Sequence, residues 1–160
     1  MLTTAIRVSR NEEIVQERER EKRSQNLILY GISEVCDADL KHHDNEFIIS
    51  FLDKIGVAVR PKQIIRLGKP SDDKIRPIKL VMETDDDKDA VMSRLGNLKN
   101  AEEIFRKVSV RDDYTIEERE MVREWVKKAA DKNTAENTQS WKVRGTPKKG
   151  LRLVKITKQH

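Results

Sequence analysis

The sequence lacks several features that would assign it to particular protein classes. It has one cysteine, Cys36, which excludes an internal disulfide and any zinc site built mainly from thiolates. No stretch approaches the ~20 apolar residues that a membrane span needs. The segment from Met1 to Arg10 lacks the apolar centre of a signal peptide. These absences predict an intracellular protein without a membrane partner.

Groups that carry catalysis or bind metals are equally scarce. The histidines are His42, His43 and His160, and none lies near a serine or cysteine nucleophile motif. Cys36 with His42 and His43 offers three metal ligands in one loop, but no second group of ligands accompanies them. The sequence therefore predicts no enzyme, no catalytic residue, no metal and no other cofactor.

Charge is abundant and unevenly distributed. The net charge is +5, and charged residues make up 38% of the chain. The first 140 residues hold 26 basic and 28 acidic residues, whereas the last 20 hold seven basic residues and no acid. A concentrated basic segment indicates a polyanionic partner, although a solvated tail has the same composition. The seven cations are Lys142, Arg144, Lys148, Lys149, Arg152, Lys155 and Lys158.

The central part of the chain alternates strands and helices. Short apolar runs predict strands, and apolar residues at helical spacing, such as Phe47 to Ile55, predict two helices. The resulting order over residues 26–111 is β-α-β-β-α-β, which is the plan of an antiparallel sheet backed by two helices. The predicted fold class is therefore α+β, an RRM-like (ferredoxin-like) sandwich. The predicted strands are residues 26–32, 62–69, 76–84 and 107–111.

Additional elements flank this sandwich. Residues 1–25 form a predicted charged helix with valines seven apart, which is either the end of a coiled coil or a frayed solvated helix. A capping box at Thr115 and Glu118 opens a predicted helix over residues 115–132, followed by a basic β-hairpin. The predicted domains are thus 1–25, 26–112 and 113–160.

The alternation of side chains along strands predicts which face of the sheet stays open. That face holds three cations, Arg66, Lys79 and Arg111, and one aromatic residue, but no acid. It suits phosphate contact better than base stacking, and the alternative is that its cations are ordinary solvent-facing residues. The residues predicted on this face are Ile28, Tyr30, Ile64, Arg66, Lys79, Val81, Ser109 and Arg111.

The C-terminal hairpin combines an aromatic residue with cations. Trp141 precedes Lys142 and Arg144, and the turn Gly145–Gly150 carries two further lysines. An aromatic side chain among cations is typical of a groove for single-stranded nucleic acid. The alternative role for Trp141 is packing on the preceding helix near Trp125.

Motifs in a fixed order link the chain to a known family. They are EREREKRSQNLILYGI, RLGK, RPIKLV, SVRDDYTIEER and WKVRGTPKKGLRLVKI, and they span roughly residues 17–157. In these motifs the chain resembles the RNA-binding protein encoded by the first open reading frame of LINE-type non-LTR retrotransposons. The resemblance implies a non-standard RNA-recognition domain and a C-terminal domain that bind single-stranded RNA or DNA. It also implies homotrimers formed through a coiled coil, nucleic-acid chaperone activity and a cytoplasmic or nuclear ribonucleoprotein.

By motif match, the resemblance implies nucleic-acid contacts at four arginines: Arg66 in RLGK, Arg76 in RPIK, Arg111 in VRDD and Arg144 in KVRG. Lys69 is a further candidate contact. The alternative function is a protein-interaction module, because a sheet of this type without stacking aromatics also suits protein docking. The predicted nucleic-acid-binding residues are Tyr30, Arg66, Lys69, Arg76, Lys79, Arg111, Trp141, Lys142, Arg144, Lys148, Lys149, Arg152 and Lys155.

Overall fold

The computed structural model describes residues 2–35 and 38–157, so Cys36, Lys158 and His160 lie outside the described residues. The chain divides into two compact units, the first running through Asp113 and the second beginning at Tyr114. Together they combine helices with antiparallel strands, which confirms the predicted mixed helix-and-sheet class.

The first unit contains a four-stranded antiparallel sheet with the strand order β2-β3-β1-β4. The elements in chain order are α1 (Leu2–Arg23), β1 (Asn26–Tyr30), α2 (Leu40–Ile55), β2 (Gln63–Arg66), β3 (Ile78–Val81), α3 (Asp85–Ser93), α4 (Glu103–Arg106) and β4 (Ser109–Asp112). A short 3-10 helix, Leu95–Asn100, lies between α3 and α4.

The core of this unit forms between α2 and the two inner strands. Residues three and four apart along a helix share a face, and that face of α2 is fully buried. The helix ends at Gly56, whose positive φ of 79° lets its N–H return to the last turn. The fully buried side chains include Leu27, Leu29, Ile48, Phe51, Leu52, Ile55, Ile78 and Leu80.

The prediction for the faces of β2 was wrong. Ile64 lies opposite the buried Leu80, whereas Ile65 lies opposite Lys79 and is exposed. Ile64 and Arg66 therefore point towards the helices, and Ile65 joins the open face. A shift of one residue reverses every side chain of a strand, and two adjacent isoleucines give no signal to choose between the two settings.

Two helix boundaries also differ from the predictions. Residues 33–43 were predicted as a loop, but α2 begins at Leu40 and includes both histidines of that segment. The predicted second helix, marked by apolar residues from Ala90 to Leu98, is divided into α3 and the 3-10 helix, and the short helix α4 was not predicted. Thr84 caps α3 by accepting a hydrogen bond from the N–H of Asp87, and the side chain of Asn97 ties the 3-10 helix to the carbonyl of Ile55.

Polar contacts connect the C-terminal end of helix α1 to α3 and to the residue that follows β4. Arg23 donates to Asp113 at 3.0 Å, and Lys88 donates to the carbonyl of Ser24 at 3.0 Å. Along the rest of the helix, apolar side chains such as Ile14 and Val15 are exposed. The coiled-coil role of this segment remains a prediction.

The second unit consists of one long helix and a hairpin. It contains α5 (Ile116–Ala135), β5 (Trp141–Thr146) and β6 (Gly150–Lys155). The capping box predicted at the start of α5 is confirmed, since Thr115 and Glu118 each bond the other's backbone N–H.

Candidate nucleic-acid interface

The register of the hairpin sorts its residues onto two faces. Trp141 pairs with Lys155 and Val143 with Leu153, so these four side chains share one face. Lys142 pairs with Val154 and Arg144 with Arg152, so three cations and one valine share the other. We call Lys142, Arg144 and Arg152 the hairpin cations; all three are exposed.

The face opposite the hairpin cations packs against α5. Val143, Leu151 and Leu153 are half-buried there. At the start of β5, the side chain of Asn133 donates to the carbonyl of Trp141 and accepts from its N–H, at 3.0 and 2.9 Å. One helical amide thus imitates a neighbouring strand and fixes which side of the hairpin points outwards.

The side chain of Trp141 packs on the C-terminal end of α5. Its indole N–H donates to the carboxylate of Glu136, and the Lys132 ammonium lies 3.8 Å from the ring centroid. The Lys155 ammonium lies 5.8 Å from the same ring. Trp125, by contrast, contacts the ammonium of Lys128. Trp141 therefore packs on the preceding helix, as the alternative prediction stated, although its neighbours Lys132 and Glu136 lie about two to three turns beyond Trp125.

Arg144 and Arg152 lie directly opposite each other across the hairpin. Like charges at directly opposed positions destabilise a sheet, so this pair costs stability in the isolated chain. A bound polyanion would remove that cost, because each guanidinium could donate two parallel hydrogen bonds to the oxygens of one phosphate.

The turn of the hairpin adds Lys148 and Lys149, both exposed. A Cβ at Gly145 would lie 2.0 Å from the carbonyl oxygen of Gly150, and Gly145 has a φ of +91°. Only glycine fits this close approach. Gly145 therefore allows the tight turn that places Lys148 and Lys149 next to the hairpin cations. Lys155, in contrast, lies on the face that carries Trp141.

The open face of the first unit's sheet holds a smaller cationic surface. Tyr30 is 43% exposed, and the guanidinium of Arg111 lies 5.4 Å from its ring centroid. Lys79 lies on the same face, opposite Ile28 in the neighbouring strand. Ile28 is only 7% exposed, although it lies outside the main core cluster. Tyr30 is the single aromatic side chain among the paired residues of this face.

Arg66 was predicted on this open face and lies on the opposite one. Its guanidinium makes a bidentate ion pair with Asp44 of α2, at 2.9 and 2.8 Å. It also donates to the carbonyls of Ile32, Ser33 and Arg76. The side chains of Arg66 and Asp44 are 6% and 5% exposed. Arg66 is therefore a buried structural cation whose donors are all engaged.

Arg76 is also engaged in the fold. Its Nε donates to Glu34 at 2.7 Å, and its backbone N–H donates to the same carboxylate at 3.1 Å. Its Nη1 donates to the carbonyl of Gly68 at 3.2 Å. These bonds join the β1–α2 loop to the β2–β3 loop. Lys69 lies in the second of these loops and is exposed.

The Glu34–Arg76 pair predicts an acid-sensitive contribution to stability. Hydrogen bonds from the side chain and backbone of Arg76 lower the pKa of Glu34 below its ordinary value of 4.5. A carboxyl whose pKa is lowered by folding adds stability that is present above the ordinary pKa and is lost as pH falls through the lowered one. We expect Glu34→Gln to lose this part of the acid dependence, measured as melting temperature from neutral pH to about pH 3.

The matched control is Glu103→Gln, which changes an exposed glutamate in the same unit. It should keep the acid dependence of the unaltered chain. Equal acid profiles for the two variants would contradict the role given to Glu34.

Two positioning residues were missed by the sequence reasoning. Asp44 lies four residues before Ile48 on the apolar stripe of α2, and an acid on a buried stripe requires a cationic partner, so this signal was available. Asn133 lies just beyond the predicted helix over residues 115–132, whereas the structure includes it in α5, and nothing in its sequence context marks it as the partner of Trp141. Among residues 2–35 and 38–157, no group of three or more potential metal ligands occurs.

A groove of about 430 Å³ lies between α5 and β5 within the second unit. It is lined by the helix residues Val126, Ala129, Ala130, Asn133 and Thr134, by Gln139, and by β5 from Trp141 to Arg144.

Comparisons with known proteins add no family assignment. No protein-family model matches the chain, and no curated protein matches it. Among the described residues, no helix has the length and apolar character needed to cross a membrane.

Proposed function

We propose that the chain binds single-stranded RNA or DNA with little sequence preference and is not an enzyme. The observation that carries this proposal is the outward face of the hairpin. Lys142, Arg144 and Arg152 are exposed on one face, and the turn adds two exposed lysines. Phosphates are recognised by such cations independently of sequence, which supports coating of a strand rather than reading of its bases.

The sheet of the first unit supports the same function more weakly. Its strand order β2-β3-β1-β4 and its alternation of helices and strands fit an RRM-like sandwich. Standard modules of this kind stack two or three bases on aromatic side chains, whereas this face has Tyr30 alone. We therefore assign Lys79 and Arg111 to phosphate contact and Tyr30 to at most one base.

The family resemblance completes the proposal. As a protein of the LINE first-open-reading-frame type, the chain would act as a nucleic-acid chaperone within a cytoplasmic or nuclear ribonucleoprotein. Exposed apolar side chains on α1 agree with assembly into homotrimers through that helix. Arg66 and Arg76 are left out of the contacts because both are engaged within the fold.

Salt dependence is the direct test of this proposal. If the three hairpin cations and the two turn lysines each contact one phosphate, Kd for a single strand should rise with salt concentration. The salt slope, which is the slope of log Kd against log salt concentration, should be roughly 3.5, at ~0.7 per contact. The measurement is fluorescence anisotropy of a labelled single-stranded RNA across salt concentrations. Absence of binding at low salt, or an affinity that is independent of salt, would overturn the proposal.

A second candidate function, docking of a protein segment, rests on the edge of β5. Asn133 satisfies the outward N–H and carbonyl of Trp141, and the N–H of Val143 points to the same side because an antiparallel ladder alternates. The carbonyl of Val143 accepts a hydrogen bond from Arg144 at 3.2 Å, which an added strand would share or displace. An extended peptide can add a strand at such an edge, here beside the groove of about 430 Å³. Failure of RNA binding with the hairpin intact would favour this alternative.

A further inference from the structure

Thr146 lies on the same face as the hairpin cations. It ends β5, and residues two and four apart along a strand share a face, so its side chain follows Arg144 and Lys142. Its hydroxyl oxygen accepts a hydrogen bond from the backbone N–H of Lys149 at 3.1 Å. Any group added to this hydroxyl would therefore lie among the cations proposed to hold nucleic acid.

The residues around Thr146 form a recognisable modification sequence. The chain has four prolines, and three of them follow Arg60, Lys69 and Arg76; only Pro147 follows a hydroxyl-bearing residue. Some kinases have a substrate cleft that offers no partner to the backbone N–H of the residue after the hydroxyl-bearing one. Such a kinase favours proline at that position, because proline has no backbone N–H. Kinases of this class also favour a basic residue three positions after the hydroxyl-bearing residue, and Lys149 occupies that position here.

We propose that Thr146 is a phosphorylation site for a proline-directed, ATP-dependent protein kinase, and that its phosphorylation weakens nucleic-acid binding by the hairpin. The second half of this inference rests on the proposed function. In the reaction, the Thr146 oxygen forms a bond to the γ-phosphorus of ATP, and the bond from that phosphorus to the β–γ bridging oxygen breaks. ADP leaves with the bonding electrons, and the hydroxyl proton passes to the catalytic base of the kinase.

The expected effect follows from charge. A phosphothreonine carries about −1.5 to −2 charges at neutral pH and accepts strong hydrogen bonds. On this face it would pair with Arg144 and with a turn lysine, and so occupy positions that a nucleic-acid phosphate would otherwise take. Losing two such contacts should lower the salt slope by roughly 1.4, at ~0.7 per contact.

The experiment treats the full chain with ATP and a purified cyclin-dependent kinase as the probe enzyme. Mass spectrometry locates and quantifies the phosphate, and anisotropy then compares the phosphorylated and untreated chains on a labelled oligo(U) RNA. Thr146→Val removes the hydroxyl at nearly constant volume, and Pro147→Ala keeps the hydroxyl but removes the recognised proline. We expect phosphate on Thr146, none on either variant at that position, and affinity weaker by on the order of tenfold after phosphorylation.

The outcomes separate this inference from the proposed function. RNA binding by the untreated chain without phosphate on Thr146 overturns the inference alone, and so does a phosphorylated chain with unchanged affinity and salt slope. Failure of the untreated chain to bind RNA overturns the proposed function together with the regulatory step. A circular-dichroism melt of each variant verifies that the hairpin still folds, and the phosphorylated wild-type chain supplies the result without any substitution.

Discussion

Replacing Arg66 by alanine should destabilise the first unit by about 3–5 kcal/mol, the range for breaking a buried ion pair. The side chains of Arg66 and Asp44 are 6% and 5% exposed, so the substitution leaves a buried carboxylate without its cation. Three backbone carbonyls also lose their donor. Urea unfolding followed by circular dichroism measures the loss directly.

Two controls distinguish burial of charge from loss of a contact. Arg60→Ala removes a pair of similar length, 2.8 Å to Asp53, but between exposed side chains, and should cost at most about 1 kcal/mol. The double change Arg66→Met with Asp44→Leu should recover the part of the loss that comes from the unpaired carboxylate, because it removes both buried charges. The three backbone carbonyls still lack their donor, so the recovery should be partial.

RNA binding by the Arg66 variants tests the nucleic-acid contact that was predicted for this residue. With the fold intact, the double variant should bind single strands with the affinity of the unaltered chain. If Arg66→Ala instead keeps its stability within about 1 kcal/mol and loses RNA binding, Arg66 contacts nucleic acid and its structural role is wrong.

The second large effect is expected on the hairpin. Arg144→Ala with Arg152→Ala should weaken binding to single-stranded RNA by about 2–3 kcal/mol, on the order of 100-fold, since each contact is charge-assisted. Stability should stay constant or rise slightly, because the two guanidinium groups lie directly opposite each other and repel. Anisotropy titration and a thermal melt measure the two quantities.

Lys155→Ala provides the matched control. Lys155 lies in β6, as Arg152 does, but on the opposite face of the hairpin. Its effect on affinity should be much smaller, although Lys155 was among the residues predicted to bind. Single alanine changes at the turn lysines should also cost less than the Arg144 change, since a turn lysine is a mobile point charge. Equal losses for Lys155→Ala and the double arginine variant would show that net charge, not the hairpin face, determines binding.

Much of the fold could be predicted from the sequence because its signals are local. The capping box of Thr115 with Glu118 starts α5 where it was predicted. The helical spacing from Phe47 to Ile55 and the stop at Gly56 identify the buried face and the end of α2. Each of these features depends on residues within about two helical turns of one another, so each can be identified from the sequence alone.

The sequence also determined the cationic character of the last 20 residues, since charge is a property of composition. The alternation of side chains along the hairpin then separates Arg144 from Val143 without knowledge of the tertiary structure. It did not determine which of these two faces meets α5, because that depends on Asn133 binding the backbone of Trp141 from a different element.

Tertiary structure alone decided the roles of the arginines in the first unit. Arg66 and Arg111 are both strand cations in short charged motifs, yet one pairs with buried Asp44 and the other lies over the exposed ring of Tyr30. The difference arises from the register of β2 against β3, which places Arg66 opposite buried Ile78. Register is set by long-range packing, and a one-residue shift exchanges the faces of a strand. A cation's sequence context therefore gives its charge, whereas its partner, carboxylate or phosphate, follows from the side of the sheet on which it lies.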